Sequence, residues 1–381
     1  MKTHIPRFNS SIRLLTVALL AMAATAKSAD APITLKEAFK DCFRIGVALN
    51  QRQFTEQDTN GAALVKHQFN AISPENVMKW ANIHPRPGPD GYDFSAADRY
   101  VEFGEKNGMF IVGHTLVWHA QTPRWVFQGE GTNAITREVL LQRMREHIHT
   151  VVGRYKGRIK AWDVVNEALS EDGSMRRSRW YQSIGDDYIA KAFEYAHEAD
   201  PAAELRYNDY SIENERKRDG VIALVKKLQA EKVPISGLGS QTHANLTWPS
   251  AALLDTALTA FAQLGIPLSI TELDVNAAQS GQRSQSAEVA QNAQGDRGGV
   301  ADDANQKLAD QYASLFRVFV KHRQNIELVT FWGLTDRDSW RRFGKPLLFD
   351  GEWRPKPAFA AVIAEAKRKG SPPSNLERVR P

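Results

Sequence analysis

Cysteine is almost absent from this sequence: Cys42 stands alone among 381 residues. A disulfide within the chain is therefore excluded, and so is a zinc ribbon or an iron–sulfur cluster, each of which needs several thiolates. Long apolar runs are lacking as well. The stretch from Leu14 to Ala24 is too short to cross a bilayer as a stable helix. An excess of one charge is also missing. The formal net charge is +5, and Lys2, Arg7 and Arg13, with no acidic residue among positions 1–26, supply three of it, leaving +2 for the rest. Nothing in that balance calls for a nucleic-acid partner. The basic residues Lys367, Arg368, Lys369, Arg378 and Arg380 have no aromatic residues between them, so they read as a solvated, flexible tail from about residue 368.

What is present is the composition of an ordinary globular protein, 42% hydrophobic and 24% charged. Residues 1–26 follow the order of a secretory signal peptide: early cations, a short apolar stretch, then the small-x-small site Ala24-Thr25-Ala26. Cleavage near Ala26 is expected to release residues 27–381 into the periplasm or the medium, with no cysteine directly following the site to take a lipid. The released part alternates short β-type runs with amphipathic helical runs. The strand-like runs are Arg44–Leu49, Gln68–Ile72, Met109–His114, Ile159–Val165, Leu205–Asn208, Ile235–Ser240, Pro267–Thr271 and Glu327–Leu334. Helical spacing marks Arg137–Tyr155, Tyr188–Glu198, Gly220–Glu231 and Ala251–Leu264 between them. Eight such alternations predict one α/β domain, a parallel sheet closed into a (β/α)8 barrel. One segment breaks the rhythm. Ala277–Ala304 is rich in Gln, Ser, Ala, Asp and Gly, and reads as a long loop at the barrel mouth after the seventh strand.

In such a barrel the chemistry lies where the strands give out. Those ends carry Gly113-His114-Thr115-Leu116-Val117-Trp118-His119, Trp162-Asp163-Val164-Val165-Asn166-Glu167, Tyr207-Asn208-Asp209-Tyr210, Ser240-Gln241-Thr242-His243, Ile270-Thr271-Glu272-Leu273-Asp274 and Trp332-Gly333. Turn chemistry would supply Gly, Asn and Asp, but not this many Trp, His, Glu and Gln. Glu167 and Glu272 are 105 residues apart, or 35 per unit if they close strands four and seven. A carboxylate after an apolar strand is unfavourable in a pure packing role. Hydrolysis of a glycosidic bond needs two of them, one to donate a proton and one to act as nucleophile or base.

Taken with Glu75-Asn76-Val77-Met78-Lys79-Trp80 and Asp336-Arg337-Asp338-Ser339-Trp340, these motifs resemble glycoside hydrolase family 10, the endo-β-1,4-xylanases. The likeness runs from about Phe39 to Ala366. It implies a retaining endo-1,4-β-xylanase with Glu167 as acid/base and Glu272 as nucleophile, His243 and Asp274 forming a relay around the latter. It also implies that Asn166 meets the sugar 2-hydroxyl, with His114, Trp118, Lys79 and Gln241 around the same sugar and Gln121 close by. Glu75 and Asn76 would reach the next sugar on the non-reducing side, Tyr210 the leaving group. Trp332 and Trp340 would cover the sugars and favour xylose over glucose. The resemblance further implies a cis peptide between His114 and Thr115. The expected ligands are xylan and xylo-oligosaccharides, bound by a monomer with no cofactor, metal, nucleic acid or stable membrane association. Ser73 stands where the family more often has Thr, and the 277–304 run is longer than expected.

Plainer readings compete. Trp125 and Trp162 are assigned to packing, His119 to support, and Cys42 to a buried apolar role. Asn245-Leu246-Thr247 matches a glycosylation sequon that arises readily by chance. The rival functions are a barrel glycosidase acting on β-glucan or mannan, a non-catalytic polysaccharide-binding barrel, and a metal hydrolase using His114, His119 and His243. Two retained glutamates disfavour the second, and the Asn, Gln and Trp beside the histidines disfavour the third.

Overall fold

The computed structural model describes residues 1–2, 33–129, 131, 133–278 and 303–368. The expected signal peptide, the body of the 277–304 run and the basic tail beyond 368 lie outside these residues. The chain divides into two compact units after Ile33, and the second, from Thr34 onward, contains the sheet.

Eight parallel strands form it: β1 Arg44–Leu49, β2 Ala71–Pro74, β3 Phe110–Trp118, β4 Ala161–Asn166, β5 Glu204–Asp209, β6 Gly237–Ser240, β7 Leu268–Asn276 and β8 Ile326–Phe331. Each pairs with the next in sequence, and β8 returns to β1 with Arg44 opposite Leu328 and Val47 opposite Phe331, so the sheet closes. Closure leaves no edge among these strands. Strands buried on both faces read as continuous apolar runs, and β4 is buried at all six positions. The expected (β/α)8 barrel is what the chain forms.

Helices between strands begin where a polar side chain can take an orphan amide. Asp58 accepts from Gly61 ahead of Thr59–Gln68, Ser178 from Tyr181 ahead of Arg179–Ile184, and Ser250 from Leu253 ahead of Ala251–Ala262. The expected second strand began at Gln68, but Gln68 ends a helix and its side chain accepts the Leu35 amide at 3.0 Å. The expected helix at Gly220 starts earlier, at Glu215, because its charged first turn hides the period. Strands β3 and β7 run on to Trp118 and Asn276, past the polar residues at which an apolar run seems to stop. The eighth ends at Phe331 and not at Leu334, since Gly333 turns away with φ 127°.

Cys42 is half-buried in the turn before β1, a correction to its expected full burial; Asp41 beside it is exposed and Phe43 turns inward. Burial raises its thiol pKa. The sequon Asn245 uses its side-chain oxygen to accept the Thr247 and Trp248 amides, forming a local turn. Among the described residues no helix is long and apolar enough to cross a membrane.

Trp162 is fully buried, as its packing assignment requires, and lies against Gly113 on the neighbouring strand. A Cβ at Gly113 would sit 2.1 Å from the Trp162 ring, which has no space to retreat into. Gly113→Ala is therefore expected to destabilise the fold by roughly 1–3 kcal/mol. Urea denaturation checks this, and a midpoint equal to that of the parent chain would contradict it.

Candidate active site

The strand ends gather most of the expected residues around one pocket. Lys79, His114, Trp118, Asn166, Glu167, Gln241, His243, Glu272, Trp332 and Trp340 line it. Glu167 follows β4 directly, its own amide bonded to the Asn208 carbonyl at 2.9 Å. Its backbone is left-handed, φ 57°, and Arg176 grips its carbonyl through Nε at 2.9 Å. Glu272 sits within β7, its amide donating to the Gln241 carbonyl at 3.1 Å.

Each carboxylate is held on both oxygens. Trp118 Nε1 donates to Glu167 Oε2 at 3.0 Å, while Asn166 Nδ2 and Gln241 Nε2 both donate to Oε1 at 3.1 Å. Asn208 Nδ2 donates to Glu272 Oε1 at 2.9 Å, and His243 Nε2 lies 3.2 Å from Oε2. The two sides meet in Asn208, whose Nδ2 is shared between Glu272 and Asn166 Oδ1 at 2.9 Å each. Thr271 fixes the amide by donating to Asn208 Oδ1 at 2.6 Å. Gly239 makes room for it, since a Cβ there would stand 2.4 Å from that oxygen.

Behind Glu272 stand His243 and Asp274. His243 Nδ1 is 3.2 Å from Asp274 Oδ2, and Asp274 also accepts from Trp340 Nε1 at 2.7 Å and Arg341 Nη1 at 2.9 Å. Burial disfavours an imidazolium at His243, but Asp274 and then Glu272 outweigh it and hold its pKa up at about 9. Burial likewise opposes charge on Asp274; Arg341 first, then His243, overcome it and pull that carboxyl below its usual range. On the other side, His114 Nδ1 contacts Asp163 Oδ2 at 2.9 Å, and Asp163 accepts from Arg206 Nε at 3.1 Å. Asp163 also stays low against its burial because of Arg206 and His114. Burial lowers the pKa of Lys79, opposed by the carboxylates of Glu272, Glu75 and Glu167. Its ammonium lies 5.0 Å from the Trp118 ring centre.

The four remaining candidates flank this pocket. Asn76 Oδ1 accepts from Lys79 Nζ at 3.2 Å and Gln121 Nε2 at 3.5 Å, and Glu75 stands half-buried next to Asn76, its pKa raised by burial. Tyr210 lies further out: its hydroxyl takes a hydrogen bond from Arg176 Nη2 at 2.9 Å and its ring covers the Lys217 ammonium at 3.5 Å. The His114–Thr115 peptide is cis, as expected. Among the described residues no three His, Cys, Asp or Glu side chains are grouped to hold a metal ion.

The family model for glycosyl hydrolase family 10 matches residues 34–365. The chain belongs to that family. A β-1,4-xylanase of Dictyoglomus thermophilum is 41% identical over 359 residues, 92% of this chain and 96% of that protein. A family-10 endoxylanase from a sugarcane soil metagenome superposes with a TM-score of 0.80 at 41% identity, covering 88% of this chain and 99% of the other. An intracellular xylanase of Thermoanaerobacterium saccharolyticum, crystallised as a mutant with xylotetraose, gives 0.78 at 38% identity, with 87% and 98% covered.

Asn208, Asp163, Arg206, Arg341 and Arg176 take part in the site although no motif pointed to them individually. A signal existed for three of them: Asp163, Arg206 and Asn208 are polar residues inside strands that are otherwise buried. Arg341 and Arg176 sit in loops and gave none.

The His243 shift has a definite sign. A histidine raised from 6.5 to about 9 adds stability that is full below its unfolded value and fades as pH climbs through 9. The His243 imidazole is expected to titrate near 9 in an NMR titration, and a midpoint below 7 would refute the ion-paired relay.

Proposed function

We propose that this family-10 glycoside hydrolase is an endo-1,4-β-xylanase that cleaves internal bonds of xylan with retention, through a covalent glycosyl–enzyme ester. The observation that carries this reading is the pair of carboxylates in one pocket, joined through Asn166 and Asn208. A retaining mechanism asks for carboxyl groups about 5–5.5 Å apart, with no space for a water between nucleophile and sugar. Two amides joined by direct hydrogen bonds hold both carboxylates to the same pocket.

In the first step Glu167 gives its proton to the glycosidic oxygen as that bond breaks, and a Glu272 oxygen bonds to the anomeric carbon. The donors on Glu272, Asn208 and His243, hold the attacking carboxylate in one orientation before it reacts. As the ester forms, the negative charge on Glu272 disappears. In the second step Glu167 takes a proton from water, whose oxygen attacks the same carbon and frees Glu272. Asn166, already oriented by Asn208 and Gln241, meets the 2-hydroxyl in this reading, a contact that strengthens as positive charge builds on the ring. Trp332 and Trp340 offer aromatic faces to the sugars, and the indole nitrogen of Trp340 is already committed to Asp274. The xylotetraose bound by the Thermoanaerobacterium relative supports xylo-oligosaccharides as ligands. The order of charges and apolar residues in positions 1–26 supports export of the chain.

Three measurements test this. Hydrolysis is expected to be fastest on xylan when compared with carboxymethyl-cellulose and mannan, and xylan ranking last would end the assignment. The rate should be unchanged in excess chelator; its loss would revive a metal mechanism. On an aryl xylobioside with a good leaving group, Glu272→Gln should be inactive. Glu167→Ala should regain turnover with azide and release a β-azide, since the external anion replaces the missing base. No rescue, or product with inverted configuration by NMR, would refute Glu167 as acid/base and Glu272 as nucleophile.

A further inference from the structure

We propose that Glu213 is a positioning residue for both carboxylates, acting through the Gln241–His243 turn. This rests on Glu167 being the acid/base and Glu272 the nucleophile. Glu213 lies in the loop between β5 and the helix Glu215–Ala230 and is 1% exposed. Its Oε1 accepts from Ser240 Oγ at 2.7 Å and from Thr242 Oγ1 at 3.0 Å, and these hydroxyls are 2.9 Å from each other. Its Oε2 is buried without a hydrogen-bond partner. Burying a carboxylate on two neutral hydroxyls is unfavourable, and a loop with no special task has no need of it.

What the two hydroxyls bracket explains the placement. Strand β6 stops at Ser240, opposite Ile270 of β7, and pairing resumes in the short strand His243–Asn245 with His243 opposite Asp274. Three residues of one strand thus span four of the other. The break is made at Thr242, a β-branched residue held left-handed with φ 53°. It is this break that sends nearby functional side chains to different partners: Gln241 Nε2 reaches Glu167 at 3.1 Å, whereas His243 Nε2 reaches Glu272 at 3.2 Å. One Glu213 oxygen holds the residues on both sides of Gln241 and so fixes the turn. Without it, Thr242 is free to leave an unfavourable conformation, and both carboxylates lose a donor at its set position.

The test compares Glu213→Met, which removes the acceptor at similar volume, with Glu213→Gln, which keeps an acceptor oxygen. Both are assayed in the full chain on xylan and on an aryl xylobioside, with kcat normalised to folded protein from circular dichroism and Tm recorded alongside. Glu213→Met is expected to lower kcat about 10- to 100-fold, the range a small misplacement of reacting groups produces, with KM within about twofold. Glu213→Gln should recover kcat to within about threefold of the parent. A Met variant with lowered Tm but parental kcat would reduce Glu213 to a structural role and overturn the proposal; so would a Gln variant as slow as Met. If the Met variant does not fold, Ser240→Ala combined with Thr242→Val removes the same contacts from the other end. It must show the same loss of kcat, and a parental kcat there also overturns the proposal. A fully active Glu272→Gln would instead remove the underlying reading, whereas an inactive Glu272→Gln beside unimpaired Glu213 variants sinks the positioning role alone.

Discussion

The site depends on one amide nitrogen shared by two acceptors. Asn208 Nδ2 touches Glu272 on one side and Asn166 on the other, and Asn166 in turn touches Glu167. Trp118, Gln241 and His243 supply the remaining donors to the two carboxylates. Its position follows from barrel closure, which places β5 beside β4 and brings β7 against β6, so that one short side chain from β5 can span them. An amide suits the task because it donates without bringing a charge of its own, leaving the charge balance to residues further back.

Those residues are arranged in layers. Glu272 is backed by His243, His243 by Asp274, and Asp274 by Arg341 and Trp340. On the far side His114 is backed by Asp163 and Arg206. In the first row charges alternate in sign from Glu272 to Arg341, and in the second the Asp163 carboxylate is paired with Arg206, which is how ionised groups remain buried together. The two carboxylates are held by side chains that are themselves buried: Trp118, Asn166, Gln241, Asn208 and His243.

The sequence made the outer frame and the two pocket glutamates readable. Glu167 and Glu272 are conspicuous because each follows apolar residues that have no local use for a carboxylate, and their separation matches whole β/α units. Strand limits were less legible. Apolar runs appear to stop at His114 and Thr271, yet β3 and β7 continue because Trp118 still pairs with Asn166 and Asp274 with His243. Asn208 and Glu213 bond side chains distant in sequence, and Arg341 reaches Asp274 in the same way, so no local period or motif spacing could reveal what they do. Cys42 misled for the opposite reason: its residue type favours burial, but its turn faces solvent on one side.

The left-handed backbone at Glu167 has a further consequence. A glycine would adopt that conformation freely, whereas a glutamate there costs roughly 1–3 kcal/mol, offset by the donors on its carboxylate. Backbone strain is therefore concentrated at a single Cα beside the pocket. Attempts to harden the enzyme for hot reactors are better aimed at the outer helices than at the rim where β4 ends.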